Sequence, residues 1–143
     1  MTLRQISVFV ENRTAGIASI IEDLKKAEID IRALSIVDTT YYGILRLITD
    51  DPKRAAEALS LNDEIVLVTE VIAVRVEDKP GALSKVLSVL SENKIDVEYL
   101  YAFVTRSAGD ACIVLKVDNN DMAQAVLREN GIRLASPDDL KTL

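Results

Sequence analysis

The chain has 143 residues, a formal charge of −6 and no histidine, and its lysines and arginines are scattered along the whole length. A net negative chain without a Lys/Arg cluster excludes nucleic acid and anionic membrane as main partners, because both demand concentrated positive charge. The longest aliphatic runs, Ile65-Val66-Leu67-Val68 and Val71-Ile72-Ala73-Val74, fall far below the roughly 20 apolar residues that span a bilayer, and Glu11-Asn12-Arg13 closes the first apolar stretch too soon for a signal peptide.

The first element is a strand: Ile6, Val8 and Val10 alternate with Ser7, Phe9 and Glu11. The period then changes. Ile17, Ile20, Ile21, Leu24 and Ala27 form one stripe of an amphipathic helix. Ile29-Asp30-Ile31 opens a second strand that runs to Asp38, turns through Thr39-Thr40-Tyr41-Tyr42 and returns from Gly43 through Ile48. Asp51-Pro52 announces a second helix, a capping side chain before a proline suited to the first turn, with Ala55, Ala56 and Leu59 facing inward. Residues 65–68 make a fourth strand that leads through Thr69-Glu70 into the next, residues 71–76.

From here the chain repeats itself. Val8 returns as Val74, Glu11 as Glu77, Ile29 as Ile95, Leu34 as Leu100 and Gly43 as Gly109, a constant spacing of 66. Leu83, Val86, Leu87 and Leu90 give the helix stripe again. A strand from Ile95 to Arg106 turns at Ser107-Ala108-Gly109 and returns over residues 111–117. Asn119-Asn120 starts the last helix with Met122, Ala123, Val126 and Leu127 inward, here at a spacing of 68, so the second hairpin is about two residues longer.

The order strand, helix, two strands, helix, strand, read twice, predicts an α+β fold of two ferredoxin-like βαββαβ units, each an antiparallel sheet with helices on one face. The expected domains are residues 1–70 and 71–143, joined without a Gly/Pro/Ser linker and therefore docked. In residues 65–76 only Thr69, Glu70 and Arg75 are polar, so both faces of these strands should be covered. Either the repeats or two subunits cover them, and a closed homodimer is the commonest solution for soluble chains. The single Cys112 cannot form an internal disulfide and fits a reducing cytoplasm.

Glu77-Asp78-Lys79-Pro80-Gly81-Ala82-Leu83, after a strand and opening a helix, followed by Lys94-Ile95-Asp96-Val97-Glu98-Tyr99-Leu100, resembles the core pattern of the ACT domain. Glu11-Asn12-Arg13-Thr14-Ala15-Gly16-Ile17 and Glu28-Ile29-Asp30-Ile31-Arg32-Ala33-Leu34 are a weaker version. The resemblance covers nearly the whole chain and implies a tandem ACT protein with no catalytic domain attached. It further implies allosteric binding of a free amino acid at domain interfaces, as in the regulatory regions of aspartate kinase, the phosphoglycerate dehydrogenases and the acetolactate synthase small subunit.

The turn from first strand to first helix suits such a ligand physically. Unpaired N–H groups at a helix start lie at the positive end of its dipole and can hold a carboxylate. Gly81 lets a ligand approach the backbone, Pro80 stiffens the turn, Asp78 can accept from an α-ammonium, and Asn12 can accept or donate. The same residues also serve as ordinary caps and turns; the resemblance favours a site. The candidate contacts are thus Asn12, Arg13, Thr14, Ala15, Gly16 and Ile17 in the first unit, and Asp78, Lys79, Pro80, Gly81, Ala82 and Leu83 in the second. Ala15 stands where Gly81 stands in the copy and Thr14 where Pro80 stands, so the first turn departs from the pattern: it either binds with different geometry or is structural only. A second wall comes from Leu34, Ser35 and Ile36 and from Leu100, Tyr101 and Ala102, across an interface, with Tyr99 and Tyr101 sharing one strand face.

Catalysis has little support. No imidazole exists to act as base or metal ligand or to activate Cys112, which lies mid-strand. The acidic groups Asp50-Asp51, Asp118 with Asp121, and Asp138-Asp139 sit at helix starts, and residues 118–121 lack the Gly and terminal Glu of a calcium loop. No enzyme activity, cofactor or metal is therefore expected. The leading reading is a regulatory amino-acid sensor. The alternative is a subunit that docks on a separate amino-acid biosynthetic enzyme through exposed sheet edges.

Overall fold

The computed structural model describes residues 1–11, 15–38, 41–104 and 109–143, and the chain forms two compact units, Arg4–Thr69 and Met1–Leu3 with Glu70–Leu143. The expected elements Asn12 to Thr14, Thr39-Thr40 and residues 105–108 lie outside the described residues.

In the first unit β1 (Leu3–Glu11), β2 (Ile31–Asp38), β3 (Tyr42–Thr49) and the start of β4 (Val66–Glu77) take the order β2-β3-β1-β4. Antiparallel register sets Val8 opposite Leu45 and Ile6 opposite Leu47, so the alternating strand residues share one face. Ile20 and Leu24 of α1 (Gly16–Lys26) and Ala55 and Leu59 of α2 (Pro52–Leu61) pack on that face, each burying its helix stripe. Every fully buried Leu or Ile there contributes about 1.5–3 kcal/mol. The opposite face of β1 is buried as well: Gln5 and Ser7 are enclosed and bonded to each other at 3.2 Å.

The second unit repeats the arrangement with β4, β5 (Val97–Ala102), β6 (Asp110–Val117) and the short β7 (Arg133–Leu134). The order is β5-β6-β4, with β7 pairing β4 on the other side. Val86 and Leu90 of α3 (Ala82–Glu92) and Ala123 and Leu127 of α4 (Asn120–Glu129) cover Ile72, Val74, Ile113 and Leu115. Beyond β7 the chain returns along the opposite face: Ala135 N–H donates to the Ala73 carbonyl at 2.8 Å, and Asp139, in a turn of 3-10 helix over Asp139–Lys141, reaches Arg75 at 3.8 Å. Both units are ferredoxin-like, with helices on one face of an antiparallel sheet.

The recurrence extends to single hydrogen bonds. Asp51 accepts from Arg54 N–H and Asn119 from Met122 N–H, each at 3.0 Å, as the start signals require. Glu28 and Lys94 are left-handed (φ 55° and 57°), and the N–H groups of Ile29 and Ile95 close α1 and α3 on Leu24 and Leu90, each at 3.0 Å.

Several sequence expectations are corrected here. Those two closures assign Ile29 and Ile95 to helix ends, so β2 and β5 start two residues later than expected. Thr69-Glu70 does not interrupt the chain; neither residue is a turn former, and β4 runs as one strand of 12 residues. Both-face burial holds for Val71, Ile72, Ala73 and Val74 but not for Ile65 and Leu67, which are 68% and 57% exposed. The order explains it: the start of β4 is the edge of the first unit, whereas its later part lies between β6 and β7. The partner of Gly43 in the copy is Ala111, because Val10 faces Gly43 while Val76 faces Ala111; the longer second hairpin shifts the spacing from 66 to 68. Met122 is exposed, one residue out of phase with the buried Ala123, Val126 and Leu127. Asp138 caps nothing with its side chain; instead the Asp139 carboxylate accepts from Ser136 N–H at 2.6 Å and Oγ at 2.8 Å.

Candidate functional site

The turn of residues 78–81 joins β4 to α3. Asp78, Lys79, Pro80 and Gly81 are exposed, and the turn is anchored by Asp78 N–H donating to the Gly109 carbonyl at 2.9 Å. Gly81 is the residue before the helix and adopts φ 89°, a left-handed conformation that glycine takes without strain. Its counterpart is Ala15, at φ 67° before α1. An alanine there costs about 1–2 kcal/mol, yet the first unit keeps the same backbone.

One contrast separates the two helices of each unit. The second, α2 or α4, has its first turn capped by a side chain, Asp51 or Asn119. The first, α1 or α3, follows a left-handed Ala or Gly and has no side-chain cap among the described residues. In α3 the Ala82 N–H donates to the Lys79 carbonyl at 3.3 Å and Lys85 N–H to Gly81 at 3.1 Å. The N–H groups of Leu83 and Ser84 have no acceptor of this kind among the described residues, so a bare donor pair stands at the positive end of the helix dipole.

Beside this turn lies a cleft of about 430 Å³, walled by the end of β4 (Arg75, Val76, Glu77), the turn and α3 (Lys79, Ala82, Lys85, Val86), Asp110 of β6, and the passage from α4 into β7 (Gly131, Ile132, Arg133). Arg75 donates to Asp110 at 3.0 Å and approaches Asp139 at 3.8 Å, while Lys79 pairs with Glu77. The two Ser136 donors, reinforced by Arg75 and Arg133, hold the Asp139 carboxyl below the usual carboxylate range. Cys112 lies behind the sheet near the same arginine, and burial pushes its thiol up to about 12, which keeps it protonated and inert.

Of the residues singled out in the sequence, the cleft brings together Lys79 and Ala82, with Asp78, Pro80, Gly81 and Leu83 completing the adjoining turn. Leu100, Tyr101 and Ala102 are on β5, separated from β4 by β6, and do not line it. Tyr101 is buried on the far face, its ring 6.5 Å from that of Tyr99. In the first unit Ala15, Gly16 and Ile17 form the helix start, and Leu34, Ser35 and Ile36 lie on the edge strand β2, with Ile17, Leu34 and Ile36 exposed. Asn12, Arg13 and Thr14 are outside the described residues. Sequence reasoning missed Arg75, Lys85, Asp110 and Arg133. Arg75 had a signal, being the lone charge within residues 71–76.

Comparison with known proteins follows the same architecture. No curated protein matches the chain. Among solved structures, protein BT0572 of Bacteroides thetaiotaomicron is 36% identical, with 100% of this chain and 98% of that one covered and a TM-score of 0.93. The regulatory subunit of aspartate kinase from Thermus thermophilus is 15% identical over 87% of this chain and 88% of that one, with a TM-score of 0.67. That from Thermus flavus is 14% identical over the same shares, at 0.63. At such identity the likeness to the kinase subunits is one of fold. A family model described as an ACT domain pair matches residues 1–143, and this chain, with its two ferredoxin-like units, belongs to that family.

Proposed function

We propose that this ACT domain pair is a regulatory protein that senses a free amino acid, held at the strand-to-helix turns of its domains, residues 1–70 and 71–143. The observation that carries this reading is the bare start of α3 after left-handed Gly81, with α1 likewise uncapped among the described residues after left-handed Ala15, in units whose second helices are both capped. A carboxylate supplies what a capping side chain does not. Asp78, exposed at the turn, then accepts from the α-ammonium, and residues 12–17 form the corresponding turn of the first domain. Residues 34–36 and 100–102 complete the site in a homodimer. No catalytic step, metal or cofactor belongs to this reading, and a cytoplasmic setting suits the free, buried Cys112.

Thermal unfolding in the presence of each of the twenty amino acids tests it. The right ligand at about 100 times its dissociation constant stabilises the fold by about 2.7 kcal/mol, without turnover. Asp78→Ala removes most of that shift and Asn12→Ala probes the first turn. An unchanged response in both variants refutes the location.

A second reading, docking on a separate amino-acid biosynthetic enzyme, is favoured by the apolar residues exposed on edge strands, Leu34, Ile36 and Val37 of β2 and Leu67 and Val68 of β4. Co-purification with such an enzyme tests it, and the two roles are compatible.

A further inference from the structure

The cleft beside the turn carries a charge pattern that an amino acid with a neutral side chain does not use. Four cations and two carboxylates line it, and Asp139, 3.8 Å from Arg75, brings the local excess to one positive charge in a chain of net charge −6. Both carboxylates are already compensated, Asp110 by Arg75 at 3.0 Å and Glu77 by Lys79. Lys85 of α3 and Arg133 of β7 remain. Neither makes an ion pair among the described residues, although the charge of Arg133 is felt by Asp139. They come from different elements and meet only because β7 pairs with β4 beside the start of α3.

A neutral amino acid is a zwitterion of zero net charge; its carboxylate and ammonium already match the bare helix start and Asp78. The one remaining positive charge, shared by Lys85 and Arg133, asks for one more negative group. Val76, Val86 and Ile132, apolar members of the lining, lower the local dielectric and strengthen that attraction.

We propose that the ligand of this domain is an acidic amino acid, its α-carboxylate at the first turn of α3 and its side-chain carboxylate answered by Lys85 and Arg133. The inference rests on the amino-acid reading of the turn and names the class of its ligand.

The test is calorimetric titration of the full chain with L-aspartate and L-glutamate against their amides, L-asparagine and L-glutamine, which keep the shape and remove the charge. One acid should bind at least about tenfold more tightly than its own amide, as a charge-assisted pair requires. Both cations are exposed, so the double variant Lys85→Gln with Arg133→Gln should keep the wild-type melting curve and lose the preference. An amide that binds as tightly as its acid, or a preference that survives in the double variant, overturns the inference alone. If none of the twenty amino acids binds, the parent reading fails and the inference falls with it.

Discussion

Ala15 and Gly81 occupy one backbone conformation with different side chains, which makes them a matched pair of probes. Ala15→Gly relieves left-handed strain of about 1–2 kcal/mol but frees the unfolded chain by about 0.4–1 kcal/mol, so a net gain of about 0.5–1 kcal/mol is expected in chemical denaturation. Gly81→Ala should lose a similar amount although nothing lies within 4 Å of the added Cβ, because the cost is torsional. A stabilising Gly81→Ala would contradict the geometry. Cys112 supplies a second probe. Its thiol is raised from 9.0 to about 12, so below pH 9 folded and unfolded states both carry the proton and the stabilisation is fully present. As pH rises from 9 towards 12 only the unfolded chain ionises, and stability falls by up to about 1.4 kcal/mol per unit. Denaturant titrations at pH 8 and 10 should show that loss in the native protein and a smaller one in Cys112→Ala. Asp139 works in the opposite direction: its carboxyl is held low, so its contribution is present above the ordinary carboxylate range and disappears as acid protonates it.

Among the helices, the capped and uncapped starts predict different responses to mutation. Asp51→Ala and Asn119→Ala each remove one bond of 3.0 Å to a first-turn N–H and should cost about 1 kcal/mol with ligand binding unchanged. Asp78→Ala, at a start with no side-chain cap, should lose ligand response with a smaller effect on the free protein. The measurement is a pair of curves for each variant, with and without ligand; equal losses of ligand response in all three variants would remove the distinction between structural and functional helix starts. Strand β4 shows the same dependence on surroundings: its start is an exposed edge and its later residues are buried, though both stretches are equally aliphatic.

For the whole molecule the exposed apolar groups on β2 and the start of β4 predict self-association. Light scattering at micromolar concentration should give about twice the chain mass of 15.7 kDa. A lysine placed on such an edge, as in Val37→Lys or Leu67→Lys, should shift the mass towards the monomer, because charge on an unpaired strand opposes edge association. A native protein that is monomeric and binds no hydrophobic dye would sink the expectation.

Local periodicity made most of the fold legible. Helix stripes such as Ile20 with Leu24, the alternation of Ile6, Val8 and Val10, and the caps Asp51 and Asn119 depend on neighbours a few residues away, so they can be read from the chain. The repeat extended that reading, since each unit confirms the phase of the other, and it located the turn before α3. The cleft was not legible. Arg75, Lys85, Asp110 and Arg133 share no motif or spacing, and they meet because β4 pairs with β6 on one side and β7 on the other. Burial of β4 was likewise decided in three dimensions, by whether a strand lay beside it. The sequence by itself determined the elements and their order, which are short-range properties; tertiary pairing alone decided which charges converge and which aliphatic strands remain bare.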